Sequence, residues 1–179
     1  TITRLSVRKI MDETIENKAL PKRKSPQLQC YDYSSPGAYF VTICTKDRKC
    51  ILSTIVGTDV LGCPKTELTR YGEIAKKNIE RMGAFYEHIS IDGYVIMPNH
   101  IHLMLVIKNE TGASAEKKSS SAYSRFVSTL KRFCDREYGE NIWQARSNDH
   151  VIRNEKDYEE HMKYINENPL KWASDELYL

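Results

Sequence analysis

The chain has 179 residues, of which 40% are hydrophobic and 28% charged, and this length and composition are typical of one soluble domain with a core of its own. No apolar run is long enough to span a membrane, and the first twenty residues mix acids and bases where a secretory signal would be apolar. Five cysteines, an odd number without a C-x-x-C pair, suggest neither a disulfide framework nor a zinc ribbon. We therefore expect a cytoplasmic protein without a membrane partner.

The net charge of +3 is too small to indicate DNA binding by itself. Residues 1–37 hold seven bases and four acids, which leaves twenty of each sign in the rest of the chain. Three prolines and the basic run at 22–24 predict that 1–37 form a basic, partly flexible arm, with a possible short helix at 11–19. We expect one folded domain over 38–172 and a short C-terminal tail over 173–179.

The first half of the predicted domain begins with a strand. β-branched and aromatic residues predict this strand over 38–45, and a second short strand near 50–52. A glycine-containing loop is expected over 56–65. Apolar residues at helical spacing then predict a helix over 67–82.

A hairpin is predicted in the middle of the chain. Strand-like segments over 87–97 and 100–107 are separated only by Pro98 and Asn99, so they should pair with each other. The polar, small-residue segment 109–121 is expected to be a mobile linker.

The last third of the chain predicts two helices around a short strand. A helix over 120–138 ends at Gly139, and an extended piece at 149–153 follows. The final helix should start after Asn154 and end before Pro169. The order β-β-α-β-β-α-β-α predicts an α+β sandwich with the helices packed on one face of the sheet.

Two histidines at the start of the second hairpin strand form a candidate metal site. Side chains alternate along a strand, so His100 and His102 leave the same face, roughly 7 Å apart along the strand. Two such imidazoles can share one divalent cation. The alternative is structural: one histidine caps the turn and the other covers the sheet.

A polar stripe on the final helix is the second candidate. His161, Tyr164 and Asn168 are spaced by three and four residues, so they lie on one face of a helix. Tyr158 is six residues before Tyr164 and therefore about 120° away from it around the helix, so it should not share a site with Asn168. The alternative is that Tyr164 is a half-buried aromatic residue and Asn168 a helix C-terminal residue.

These segments together resemble a known family. They are GYVIMPNHIHL at 93–103, IWQ at 142–144, HVIRNE at 150–155 and YINENPLK at 164–171. In this order they are similar to the HUH single-tyrosine transposases, and most of all to the REP-associated tyrosine transposase-like branch. The resemblance covers about residues 22–172.

The resemblance implies both a fold and an activity. The fold would be α+β, a ferredoxin-like antiparallel sheet with helices packed on it. The activity would be metal-dependent cutting and rejoining of single-stranded DNA, usually beside a hairpin, by a nucleoid-associated monomer or homodimer. By this resemblance His100 and His102 bind Mg²⁺ or Mn²⁺, Tyr164 is the nucleophile and Asn168 is a third metal ligand. His161 stands where some relatives carry a histidine and is a further candidate ligand.

DNA contacts must come from local patches, because the body of the chain is neutral. On the helix after the linker, a polar stripe lies opposite much of its apolar face, and hydroxyl and guanidinium donors suit phosphates. The alternative is an ordinary solvated helix face. The candidate DNA-binding residues are Arg125, Ser128, Lys131, Arg132, Arg136, Arg146 and Arg153. Trp143 could stack on a base, but its apolar neighbour favours a place in the core.

Three interpretations remain open from the sequence. The first is a DNA nickase and strand transferase that acts through a 5′-phosphotyrosine. The second is a catalytically inactive, domesticated DNA hairpin-binding protein of the same fold. A third possibility is an unrelated α+β protein with a fortuitous histidine pair.

Overall fold

The computed structural model describes residues 36–58, 64–108, 121–175 and 177, so most of the predicted arm and of the predicted linker lies outside the described residues. Three strands precede the first helix, two strands separate it from the second, and one strand separates the second helix from the third. The strands are β1 (Gly37–Cys44), β2 (Ser53–Thr58), β3 (Pro64–Leu68), β4 (Ile89–Ile96), β5 (His100–Ile107) and β6 (Asn148–Ile152), and the helices are α1 (Arg70–Phe85), α2 (Ala122–Tyr138) and α3 (Glu155–Lys171).

The main sheet has four antiparallel strands in the order β4-β5-β1-β6. The two central strands, β5 and β1, are the most hydrophobic, and Thr42 of β1 lies opposite His102 of β5. On its other side Thr42 pairs with Asn148 of β6, the edge strand. The predicted hairpin is confirmed: β4 pairs with β5 across a turn closed by a hydrogen bond from the Met97 N–H to the His100 carbonyl oxygen. The α+β antiparallel fold is likewise confirmed.

Helices cover both faces of this sheet, so the prediction of a single covered face was wrong. On one face, Tyr39, Val41 and Leu103 pack against α1 and α2 in the main core. On the other, Phe40 and Met104 pack under α3 in a smaller cluster. The physical reason is that alternation leaves β1 and β5 apolar on both faces, and each apolar face needs a cover. The histidines are on the face that α3 covers.

The segment after β1 differs from its prediction. No strand forms at 50–52, and part of the expected loop at 56–65 is strand instead, because β2 pairs with β3 in a separate two-stranded sheet. Its β-branched run at 54–56 favours this extended pairing. Leu52 is fully buried, and its backbone N–H donates to the Pro98 carbonyl oxygen, which ties this hairpin to the turn before His100.

Helix ends follow local capping chemistry. The hydroxyls of Thr69 and Ser121 accept from backbone N–H groups in the first turns of α1 and α2. Gly139 ends α2 with a φ of +81°, as predicted from its position. Helix α3 does not end before Pro169 but runs through it to Lys171. Pro169 lies in the last turn, where its missing N–H removes a single intrahelical hydrogen bond.

Within the described ranges, no helix combines the length and the apolar character that crossing a membrane requires.

Candidate active site

Two buried histidines face α3 from the start of β5. His100 and His102 are 0% and 3% exposed, and their ring centroids are 4.5 Å apart. Burial lowers the pKa of both imidazoles, that of His102 to about 2. Both rings are therefore neutral at physiological pH, which is the form that binds a metal ion.

Neighbouring oxygens fix the inner nitrogen of each ring. Nδ1 of His100 lies 2.8 Å from Oδ1 of Asn99, whose Nδ2 donates to the Leu177 carbonyl oxygen at 2.7 Å. That amide orientation makes Oδ1 the acceptor and Nδ1 of His100 the donor, so Nε2 carries the lone pair. Nδ1 of His102 lies 2.9 Å from the Thr42 hydroxyl. Such contacts set the tautomer and orientation of metal-binding histidines.

The tyrosine predicted as the nucleophile lies beside these rings. The ring centroids of Tyr164 and His102 are 5.3 Å apart. The Tyr164 hydroxyl donates to Oδ2 of Asp175 at 3.1 Å, and Nδ2 of Asn168 donates to the same oxygen at 3.2 Å. Oδ1 of Asp175 accepts from the Leu177 N–H at 2.7 Å. One carboxylate thus joins the tyrosine, the asparagine and the end of the chain.

Four side chains in this group fit a divalent cation. A nitrogen of His100, a nitrogen of His102 and a carboxylate oxygen of Asp175 lie within 4.8 Å of one another. Nε2 of each histidine and Oδ1 of Asn168 are buried without a hydrogen-bond partner among the described residues. Unsatisfied buried acceptors are costly and rare, and a shared cation would satisfy all three. Carboxylate and amide oxygens suit Mg²⁺ or Mn²⁺, and imidazole nitrogens suit divalent transition-metal ions.

A cavity of about 420 Å³ gives access to the tyrosine. His102, Tyr164 and Asp175 line it, together with Asn148 from the edge strand β6. Phe40 forms part of the wall, and its ring is stacked on His102 with centroids 4.8 Å apart. The cavity is open and large enough for a segment of a bound strand.

His161 does not lie where a ligand of the predicted metal ion would have to lie. Its Nδ1 lies 2.8 Å from the backbone oxygen of Asp157 and 3.1 Å from the Asp157 carboxylate. His150 binds the same carboxylate at 3.0 Å, and the two imidazoles stack with centroids 4.5 Å apart. The structure groups His161 with His150 and Asp157, and does not bring it together with His100, although its ring lines the Tyr164 cavity.

Tyr158 lies apart from the site, as its position on the helix predicted. Its hydroxyl donates to Oδ2 of Asp92 on β4 at 2.8 Å. It thus shares helix α3 with Tyr164 but hydrogen-bonds to another carboxylate.

The predicted DNA-binding residues fall into two groups. Four of them, Ser128, Lys131, Arg132 and Arg146, line a second cavity between α2 and the segment before β6. The other three, Arg125, Arg136 and Arg153, are not part of that lining. Trp143 is 5% exposed and belongs to the main core, as its apolar neighbour predicted.

Sequence reasoning missed Asp175. The helix was expected to end before Pro169, so residues 173–179 were interpreted as a tail. The chain continues helically past Pro169 and through a short 3-10 turn, Trp172–Ser174, before Asp175. An acid seven residues after Asn168 is close to two helical turns, so its spacing was the signal that could have placed it near this face.

Comparison with known proteins gives relatives over most of the chain. No family model matches it. An uncharacterised protein of Haemophilus influenzae is 29% identical over 180 residues, covering 91% of this chain and 97% of that protein. The REP-associated tyrosine transposase of Escherichia coli K12 is 27% identical over 139 residues, covering 78% of this chain and 70% of that protein.

A solved structure has the same fold. It is a REP-associated tyrosine transposase bound to a REP hairpin, and it matches with a TM-score of 0.56 and 23% identity over 81% of this chain and 74% of that one. The sequence relatives and this shared fold agree with each other. The chain is thus similar in sequence to REP-associated tyrosine transposases and shares its fold with a solved structure of one.

Proposed function

We propose that this protein is a metal-dependent endonuclease and strand transferase of single-stranded DNA, with Tyr164 as its nucleophile and a 5′-phosphotyrosine as its intermediate. The observation that carries this proposal is the meeting of Tyr164, Asp175 and Asn168 with two neutral histidines whose Nε2 atoms are unsatisfied. Sites next to DNA hairpins are the proposed targets, since the relative of known structure is bound to a REP hairpin.

Asp175 is placed to handle the phenolic proton. A phenol is a weak nucleophile until it loses its proton to a base. Oδ2 of Asp175 already accepts the Tyr164 hydroxyl hydrogen bond at 3.1 Å, within reach for a proton transfer. Asn168 donates to the same oxygen and holds it in position.

The reaction follows from this geometry. The proton moves from Tyr164 to Asp175, the phenolate oxygen attacks phosphorus, and the bond from phosphorus to the 3′ oxygen breaks. The departing 3′ oxygen takes up a proton from water and becomes a hydroxyl, while the 5′ phosphate stays on Tyr164. Because the phosphodiester is exchanged and not hydrolysed, the same steps in reverse rejoin a strand without ATP.

A divalent cation, Mg²⁺ or Mn²⁺, would be held by His100, His102, Asp175 and Asn168, and when bound it would neutralise the charge of the attacked phosphate. The remaining task of the chain is to exclude bulk water from the reacting atoms. Burial of both histidines under α3 and the Phe40 ring serves this purpose.

Adduct formation tests the proposal, and α3 offers a matched control. Labelled hairpin DNA with single-stranded flanks is incubated with Mn²⁺, and a denaturation-resistant protein–DNA adduct is measured. We expect wild type and Tyr158→Phe to form it, and Tyr164→Phe to form at least about 100-fold less, because removal of a nucleophile costs several orders of magnitude. EDTA should abolish it.

Two outcomes contradict the proposal. An adduct that survives in Tyr164→Phe would assign the nucleophile elsewhere. Hairpin binding by wild type without any adduct, on every hairpin tested, would favour the inactive hairpin-binding protein.

A further inference from the structure

The second cavity has features that the proposed tyrosine chemistry does not use. Its volume is about 580 Å³, larger than the cavity at Tyr164 and within the range of small-ligand sites. Helix α2 forms one wall, and the segment 141–147 forms the other. The buried aromatic residues Tyr123 and Trp143 are part of its lining.

The lining holds both positive and negative groups, which together can bind the phosphate and the base of a nucleotide. Arg132 and Arg146 are exposed cations without a carboxylate partner among the described residues, and Ser128 adds a hydroxyl. Guanidinium and hydroxyl groups bind phosphate oxygens. Asp135 also lines the cavity, and a carboxylate repels phosphate but accepts hydrogen bonds from amino groups of bases.

The cavity is held open by hydrogen bonds. Nζ of Lys131 donates to the backbone oxygens of Gln144 at 2.8 Å and Arg146 at 3.2 Å, so Lys131 shapes the wall. Oδ1 of Asp135 accepts from the Ile142 N–H at 3.2 Å, which leaves Oδ2 without a partner among the described residues. A site fixed in this way loses little entropy when a ligand binds.

The two cavities are adjacent along the chain. Ser147 lines the second cavity, and the next residue, Asn148, lines the cavity at Tyr164. Asn148 begins β6, the edge strand, so consecutive residues at this edge of the main sheet line both cavities. The Ser147 hydroxyl lies 3.0 Å from the Tyr123 hydroxyl, which fixes this junction to α2.

We propose that the second cavity binds one unpaired nucleotide of the DNA strand, with Arg132 and Arg146 on its phosphate and Oδ2 of Asp135 on the exocyclic amino group of its base. The inference rests on the proposed function for its substrate class, DNA. It adds a preference: cytosine, adenine and guanine carry an amino group, whereas thymine does not.

Binding of two labelled oligonucleotides, dC12 and dT12, tests this proposal. Fluorescence anisotropy in EDTA measures affinity without cleavage, so the result is independent of the tyrosine chemistry. We expect wild type to bind dC12 about fivefold or more tighter than dT12. Asp135→Asn keeps the acceptor for the Ile142 N–H and replaces Oδ2 by a donor, so it should lose that preference.

The phosphate contacts have a matched control on another helix. Arg132→Gln and Arg146→Gln should each weaken binding of both oligonucleotides by about threefold or more, whereas Arg70→Gln, an exposed position on α1, should not. Ser128 is an exposed position on α2, so Ser128→Trp is compatible with folding. The indole should fill the cavity and reduce the affinity for dC12 to that for dT12.

Equal wild-type affinity for dC12 and dT12 would overturn the proposal, and so would an Asp135→Asn variant that keeps the preference. Equal losses in Arg132→Gln and Arg70→Gln would assign binding to general charge. If the protein shows this preference for dC12 but forms no adduct with hairpin DNA, the proposed nucleotide site stands and the proposed catalysis is wrong.

Discussion

Two neighbouring imidazoles buried without partners for Nε2 are unfavourable for folding. Each unsatisfied buried acceptor costs about 1–3 kcal/mol, and the rings of His100 and His102 are too close for either to become charged easily. Groups of this kind are retained where a ligand compensates the cost. At the scale of single residues, the histidine pair is therefore costly for folding unless a ligand binds it.

The pH dependence of stability tests the neutral state of these histidines. Burial lowers both pKa values, so between pH 6.5 and pH 5 the unfolded chain binds more protons than the folded chain. Stability that is present above pH 6.5 should therefore fall with pH, by about 1.5 kcal/mol per histidine over this range. Urea unfolding of EDTA-treated protein measures it.

His102→Gln isolates the contribution of this pair from that of other titrating groups. The variant lacks one of the two buried imidazoles. Between pH 6.5 and pH 5 it should therefore lose about 1.5 kcal/mol less of its free energy of unfolding than wild type does. Parallel profiles for the two proteins would show that burial does not lower the pKa of His102.

At the scale of elements, the start of α1 supports the turn that presents His100. The Thr69 N–H donates to the Leu52 carbonyl oxygen at 2.9 Å, and the Leu52 N–H donates to the Pro98 carbonyl oxygen at 2.9 Å. The Thr45 N–H donates to the carbonyl oxygen of Asn99. The turn is thus held from two sides by backbone hydrogen bonds, which fixes the direction of the histidine at its end.

Two glycines of α1 provide a test of this support. A Cβ at Gly72 would lie 2.1 Å from the Leu52 carbonyl oxygen, whereas a Cβ at Gly83 would meet nothing within 4 Å. Gly72→Ala should therefore destabilise the protein by about 3 kcal/mol, because backbone must move. Gly83→Ala should stabilise it by about 0.5–1 kcal/mol through helix propensity.

Thermal and urea unfolding of both variants measure this difference. If Gly72→Ala also weakens Mn²⁺ binding while Gly83→Ala leaves it unchanged, the support of the turn reaches the metal ligands. Equal stability of the two variants would contradict close packing of α1 on Leu52.

At the scale of the whole molecule, charge and chemistry lie in different parts of the chain. The excess of bases belongs to residues 1–37, while the candidate site draws on residues between Phe40 and Leu177. The body of the chain is neutral in sum, so DNA contacts depend on where individual cations lie. Arg132 and Arg146 at one cavity are an example.

Removal of residues 1–21 tests this separation. The segment carries four bases and three acids, so its loss changes the net charge little and should leave adduct formation within about twofold of the full chain. The adduct assay with hairpin DNA and Mn²⁺ measures it, with Tyr164→Phe in the shortened chain as the background. Loss of the adduct in a stably folded deletion would assign the segment to the active machinery.

The sequence by itself determined the parts of the molecule that depend on short-range periodicity. Alternation along β5 put His100 and His102 on one face, and helical spacing put Tyr164 and Asn168 on one face of α3 and Tyr158 on another. Gly139 marked the end of α2. These features follow from backbone geometry over a few residues, which needs no knowledge of the rest of the chain.

Only the tertiary structure decided which faces meet. Local patterns cannot tell that α3 covers the opposite sheet face from α1 and α2, since that depends on which apolar surfaces remain to be buried. In the packed chain, Asp175 lies after Pro169 and contacts Tyr164. His161 contacts Asp157. Contacts between distant residues depend on how the whole chain packs, and sequence spacing alone does not contain that information.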